Sequence, residues 1–283
     1  MSKVLTFPHD FIWGTSTAAA QIETASDHIW NGVKAIDGSI LNDTIAHEKQ
    51  RSEDAKLIDG LGNIYRAGVD WARLQKAPYE AFDKRVVKEY QDFFQELNDQ
   101  GQQVLFVLHH FTHPNWFESA GGFAKRKNIP VFTNYVEQCI DCFAAYTSNW
   151  NTFNEPNVFV MNAYILGGFP PFKKNYFLAN KVLSIMGQAH DQAYDLLKKT
   201  QRDKPVGISY NTAIFRGLNL LGNIAAKFTD WWFNNKAASY FERSDYWGIS
   251  YYALVLFDPK SITENINSIA FHQGNYIAVG DKG

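Results

Sequence analysis

Short apolar runs alternate along this chain with longer stretches in which apolar residues return every three or four positions. The runs are residues 11–15, 64–69, 104–108, 150–153, 206–210 and 246–250. Residues 104–108 are apolar throughout, the pattern of a parallel strand covered on both faces. Between the runs, Val86, Val87, Tyr90, Phe93, Phe94 and Leu97 mark one face of a helix, and Gly101 stands where a helix-ending glycine belongs. Phe132, Tyr135, Val136, Cys139, Ile140, Phe143 and Tyr146 repeat that stripe just after Pro130. Two more helices are predicted over 177–199, with Val182, Leu183, Met186 and Ala189 inward, and over 220–240, with Ile224, Phe228, Trp231 and Trp232 inward.

Strand, helix, strand, helix argues an α/β fold with a parallel sheet. Six strands exceed a minimal doubly wound unit, and no dinucleotide glycine fingerprint appears. The arithmetic therefore leans to a (β/α)8 barrel of the TIM type, forming a single domain over 1–283. Eight strands take about 250 residues in such barrels. Residues 251–283 are too few for two further units, so the expectation is an incomplete barrel of about six of eight βα units. Its C-terminal units are missing or rebuilt after about residue 255, although residues 275–279 suit one short extra strand.

Composition narrows the function classes. Of 283 residues, 46% are hydrophobic and 20% charged, which excludes disorder as the main state. Lys and Arg number 27 against 29 Asp and Glu, a net charge of −2 that offers no footprint for nucleic acid or an anionic membrane. No apolar run is long enough to span a bilayer, and the first residues lack the apolar core of a secretory signal, so a cytoplasmic location is expected. Two cysteines cannot build a disulfide framework. Aromatic residues make up 16%, and aromatic side chains line pockets that take sugar rings.

In a parallel barrel the chemistry collects where strands end. There the sequence places Thr17, Gln21 and Glu23; Arg66, Trp71 and Arg73; His109, His110 and His113; Asn154 and Glu155; and Tyr251 and Tyr252. Glu155, fixed by the following Pro156, suits a general acid if a partly apolar pocket surrounds it. Alone, the same tripeptide reads equally well as a turn with an exposed acid. His109 and His110 point to opposite faces of a strand, so they do not readily share an ion, and no metal site is expected. One of them facing a pocket and bonding a ligand is the better reading. Cys139 and Cys142 lie on one helix face without a second pair, which argues core packing. The glycine pairs at 121–122 and 167–168 are loop glycines, and Lys198, Lys199, Arg202 and Lys204 form a solvated helix end. No cofactor is called for.

Five motifs in collinear order resemble glycoside hydrolase family 1, the retaining β-glycosidases. The first is Phe7-Pro-x-Asp-Phe-Ile-Trp-Gly14-Thr-Ser-Thr-Ala-Ala-Ala-Gln21-Ile-Glu23. Next come Leu61-Gly-x-x-x-Tyr65-Arg66 with Trp71-Ala-Arg73, and Leu108-His-His110-Phe111-Thr-x-Pro114-x-Trp116. Thr152-Phe-Asn154-Glu155-Pro156 and Trp247-Gly-Ile-Ser-Tyr251-Tyr252 complete the set, so the likeness covers residues 5 to about 255. The resemblance implies a (β/α)8 fold and hydrolysis of β-glucosides or β-galactosides, with Glu155 as general acid/base. It implies that Gln21, His110 and Asn154 bind sugar hydroxyls, that Phe111 stands at a sugar-contacting Trp position, and that Arg66 and Tyr252 hold the nucleophile. Thr24 and Ser250 stand where the family usually has Gly and Asn. The small-molecule partner it implies is a β-glycoside or monosaccharide.

A retaining glycosidase needs a second carboxylate about 5 Å from the first. The resemblance offers Glu264, in Ile262-Thr263-Glu264-Asn265-Ile266, as that nucleophile. Spacing offers a different answer: the stretch after residue 250 reads neither as a helix nor as the crossover a parallel strand requires, which places Glu264 in a loop. Two functions follow. One is a retaining β-glycosidase. The other is a catalytically inactive relative that binds sugar or assembles with other chains. An incomplete barrel has two open edges, which invite a second copy or a complementing chain.

Overall fold

The computed structural model describes residues 6–35, 37–41, 44–257 and 276–279. Among these residues seven strands form one sheet in chain order: β1 (Gly14–Ser16), β2 (Ile64–Gly68), β3 (Gln103–His109), β4 (Asn149–Asn154), β5 (Val206–Gly217), β6 (Tyr246–Phe257) and β7 (Tyr276–Val279). Every neighbouring pair is parallel. The first and last strands do not pair, so the sheet is open. This is a parallel α/β barrel architecture without closure.

The helices are α1 (Ala19–Ile22), α2 (Arg51–Ile58), α3 (Trp71–Leu74), α4 (Lys84–Asp99), α5 (Asn115–Ser119), α6 (Ile129–Phe143), α7 (Pro156–Val160), α8 (Tyr176–Thr200) and α9 (Leu220–Asp230). The stripe predicted over 86–97 is the buried face of α4, which packs on the sheet through Phe94, 5.8 Å ring to ring from Phe106 of β3. Phe106 also meets Phe143 of α6 at 5.5 Å and Trp150 of β4 at 5.0 Å. Each such ring, fully buried, contributes roughly 1.5–3 kcal/mol of hydrophobic stabilisation. This layer between sheet and helices is the main core, and Cys139 packs inside it as expected.

Four expectations change. The first strand starts at Gly14 rather than at residue 11, and Phe7, Phe11 and Trp13 form an exposed ring cluster ahead of it. The sixth strand runs to Phe257, not to about 250, because its apolar continuation pairs with an equally long β5 as far as Gly217↔Phe257. The helix over 220–240 stops at Asp230 and continues as a wider π turn, Trp231–Lys236; Ile224, Phe228 and Trp231 are exposed and only Trp232 of the predicted stripe is buried. The helix end near residue 200 is not simply solvated: Lys198 pairs with Asp245 at 2.6 Å, and Lys204 donates to the carbonyl of Ala144. The short strand read at 275–279 is present as β7, and Glu264 lies outside the described residues.

His190 on α8 ties β4 to the far side of the core. Its Nδ1 lies 2.7 Å from Thr152 Oγ1 and its Nε2 2.8 Å from the carbonyl of Arg243. Burial pushes its pKa from 6.5 down to about 4, with the Arg243 carbonyl pulling up and the Arg243 charge pushing down. As pH falls between those two values, the unfolded chain takes a proton that the folded chain refuses. Stability is therefore complete above pH 6.5 and declines by about 3 kcal/mol as pH approaches 4. Urea midpoints at neutral pH and near pH 4.5 check this, because His190→Gln should flatten the pH slope. An unchanged slope in that variant would place the effect elsewhere.

Candidate active site

The strand ends converge on Arg66. Its Nη2 donates to Asn154 Oδ1 at 2.6 Å and to Ser209 Oγ at 3.0 Å, and its Nη1 donates to Ser16 Oγ at 3.2 Å. Four strands, β1, β2, β4 and β5, thus meet on one guanidinium. Ser209 Oγ also accepts from Asn151 Nδ2 at 2.6 Å. Among the described residues Arg66 forms no ion pair with a carboxylate, so a half-buried cation is hydrogen-bonded to neutral oxygens alone. Burial draws its pKa down, and Tyr246, Glu155 and Tyr252 draw it back up.

Glu155 follows β4 directly. The register of β4 against β5 shifts between Asn151 and Asn154, so that Asn154 faces Ser209. Such irregularities re-aim side chains at strand ends. Glu155 N–H then donates to the Ser209 carbonyl at 2.7 Å, and its backbone adopts φ 42°, ψ 60°. That left-handed conformation is strained for a residue with a Cβ. Pro156 starts α7 immediately afterwards, where its fixed φ suits a first helical position. Glu155 is 7% exposed, which corrects the reading of a turn with an exposed acid.

At the end of β3 the neighbouring histidines separate. His109 is enclosed by Phe123, Phe153 and Phe159. His110 lies beside Phe111, and burial together with the nearby Arg66 charge holds its pKa down at about 3. It is therefore a neutral imidazole at physiological pH, offering one donor and one acceptor, and its Nδ1 has no partner among the described residues. Phe111 sits at φ 63°, its carbonyl accepting from Trp30 Nε1 at 2.7 Å and its ring parallel to Phe159. Phe169, which also touches Trp30, completes an aromatic wall.

The structure thus gathers Arg66, Asn154, Glu155 and His110, with Phe111 alongside. Tyr252 is exposed on β6 but within electrostatic reach of Arg66. Gln21 is exposed on α1. Two residues on, Glu23 is 2% exposed and bound to Arg51 and Arg73. Ser209 and Ser16 were not singled out in the sequence; the only signal was a hydroxyl interrupting an apolar strand. Tyr246 likewise escaped notice, although it begins β6 beside Arg66. Among the described residues no cluster of three or more metal-type ligands occurs, and no helix is long and apolar enough to cross a membrane.

Comparison with known proteins adds an independent line. The family described as glycosyl hydrolase family 1 matches residues 3–220. The chain is similar to β-glucosidase A of Thermotoga maritima, 25% identical over 225 residues, covering 75% of this chain and 50% of that protein. It is similar to a 6-phospho-β-galactosidase of Streptococcus mutans, 32% identical over 219 residues, covering 74% of this chain and 46% of that protein. The chain therefore spans about half the length of the curated relatives it matches. Among solved structures, a β-glycosidase from Pyrococcus horikoshii superposes with a TM-score of 0.78 at 28% identity, covering 88% of this chain and 63% of that one. The Thermotoga maritima β-glucosidase in complex with noeuromycin gives 0.81 at 23% identity over 90% of this chain and 68% of that one, a likeness of fold.

Proposed function

The chain belongs to glycosyl hydrolase family 1, and from that premise we propose that it carries the acid/base half of a retaining β-glycosidase site. The observation that carries this reading is Glu155, a buried carboxylate in a strained backbone conformation at the end of β4, beside the Arg66–Asn154 pair. In the reaction Glu155 gives its proton to the glycosidic oxygen as the leaving group departs. It then takes a proton from the water that attacks the glycosyl intermediate. Asn154 binds the sugar 2-hydroxyl, whose hydrogen bonds strengthen in the transition state. The neutral imidazole of His110 and the amide of Gln21 bind further hydroxyls, and Phe111 packs on the sugar ring. Arg66 and Tyr252 hold the nucleophilic carboxylate, for which Glu264 is the sequence candidate. The substrates are β-glucosides or β-galactosides, plain or 6-phosphorylated.

A second reading, sugar binding without hydrolysis, is supported by the open sheet and by an Arg66 that no described carboxylate hydrogen-bonds. One experiment separates the two. The purified chain is offered nitrophenyl β-glucoside, β-galactoside and their 6-phosphates, and in parallel a 2-fluoro-glycoside that traps the glycosyl–enzyme. Nitrophenol release with one trapped carboxylate establishes the glycosidase. Sugar binding in a calorimeter with neither release nor trapping establishes the second reading. Failure of all three defeats both.

A further inference from the structure

His109 and His113 are both 1% exposed and stand at the two ends of the turn that carries His110 and Phe111. Their rings bond across it, His109 Nε2 to His113 Nδ1 at 3.1 Å. His113 Nε2 continues to Glu118 Oε2 of α5 at 3.0 Å. A side chain on Gly122, at φ 47°, would come within 2.5 Å of that same carboxylate oxygen, so this loop glycine leaves the space the carboxylate fills.

The direction of the chain follows from its inner end. His109 Nδ1 has no partner among the described residues. A buried N–H without an acceptor is rarer and costlier than a buried lone pair without a donor. The proton of His109 therefore sits on Nε2 and is donated to His113 Nδ1. His113 in turn carries its proton on Nε2 and donates to the Glu118 carboxylate. Each ring then has one fixed tautomer.

We propose that His113 and Glu118 are positioning residues: their hydrogen-bond chain to His109 closes the 109–113 turn, holds Phe111 in its left-handed conformation and sets the His110 ring beside Arg66. The sugar-binding consequence rests on the function proposed above; the tautomers and the ring placement do not. Phe117, Phe123 and Phe159 surround the His113 ring, so His113→Phe keeps the packing while removing the bonds.

The test is nitrogen NMR of the imidazoles in the full chain, paired with calorimetric binding of deoxynojirimycin. In the wild type, His109 and His113 should both show protonated Nε2 and bare Nδ1. In His113→Phe the His110 ring signals should move and deoxynojirimycin affinity should fall about tenfold, an effect of roughly 1.4 kcal/mol. In Glu118→Gln, whose amide oxygen still accepts from His113, both should stay close to wild type. Should His113→Phe not fold, Glu118→Ala breaks the chain from its outer, partly exposed end and should reproduce the same changes. A protonated Nδ1 on His109 overturns the proposal. So do His110 signals unmoved by either breaking variant. If the wild type does not bind deoxynojirimycin while the tautomers are as stated and the His110 signals move, the glycoside reading fails and the positioning chain stands.

Discussion

Replacing Glu155 by Gln should lower nitrophenyl glycoside turnover by about 10²–10⁴-fold, the usual contribution of a positioned acid/base. The amide matches the carboxylate in size, so the buried position after β4 and the bond from Glu155 N–H to the Ser209 carbonyl should persist. What disappears is an acidic proton that can be transferred to a leaving group. Deoxynojirimycin binding measured alongside should change little, since the hydroxyl-binding groups remain. Equal turnover in wild type and variant would remove Glu155 from the reaction. Equal loss of turnover and of folding, seen in the circular dichroism spectrum, would make the residue structural instead.

Removing Glu23 should be the most damaging single change to stability. Its carboxylate lies 3.3 Å from Arg51 Nη2 and 2.5 Å from Arg73 Nη1, and both of its oxygens lie 2.8 Å from the Tyr90 hydroxyl. Arg51 also stacks 4.3 Å above the Tyr90 ring, and both arginines reach Glu89. Tyr90 in turn accepts the backbone N–H of Asp70, so the cluster ties the end of α1 to α2, α3 and α4. Burial alone would lower the pKa of Arg73, but Tyr90, Glu23 and Glu89 outweigh it and raise it. Glu23→Ala leaves two guanidinium groups with one partly exposed carboxylate between them. Breaking a buried ion pair from one side costs about 3–5 kcal/mol, a large share of a typical domain's total stability of about 5–15 kcal/mol. Urea unfolding of wild type and variant measures it; a difference under about 1 kcal/mol would mean that water compensates the arginines. Gln21 stands two residues away, so a folded Glu23 variant should also bind sugar less well.

Much of this was legible in the sequence, for identifiable reasons. Period located α4, α6 and α8, because their buried faces are continuous, and Gly101 after α4 and Pro130 at the start of α6 punctuate the first two. The residues that bear on Arg66 were legible mainly as motifs, since each lies at the end of a different strand and sequence distance hides their proximity. The contact from Arg66 to Ser209 spans 143 positions. The burial of Glu155 was not legible, because it follows from a register shift between β4 and β5. Nor was the length of β6: residues 251–257 change partner environment without changing composition, and only pairing with β5 shows them to be strand. The helix over 220–240 failed for the opposite reason. Its apolar period is genuine, but Ile224, Phe228 and Trp231 stay exposed, Phe228 touching the Tyr176 and Trp231 rings. The link from His113 to Glu118 was hidden too, because His113 falls at one of the two unspecified positions inside its motif.

The sheet runs in chain order, each strand beside the one before it, and its ends do not meet. Among the described strands every pairing joins neighbours in the sequence, so each loop to be closed is short compared with the chain and its entropy cost is small. Each unit emerging from a ribosome can dock on a finished predecessor. Mechanically the molecule is close to a one-dimensional array, in which stability is shared between nearest neighbours. Among the described strands β3 and β4 have paired neighbours on both sides, whereas Gly14–Ser16 has one, so opening from that side reaches β3 and β4 late. Asn154 ends β4, and Glu155 and the His110 turn follow β4 and β3 directly, so the candidate site occupies the part of the ladder that frays least.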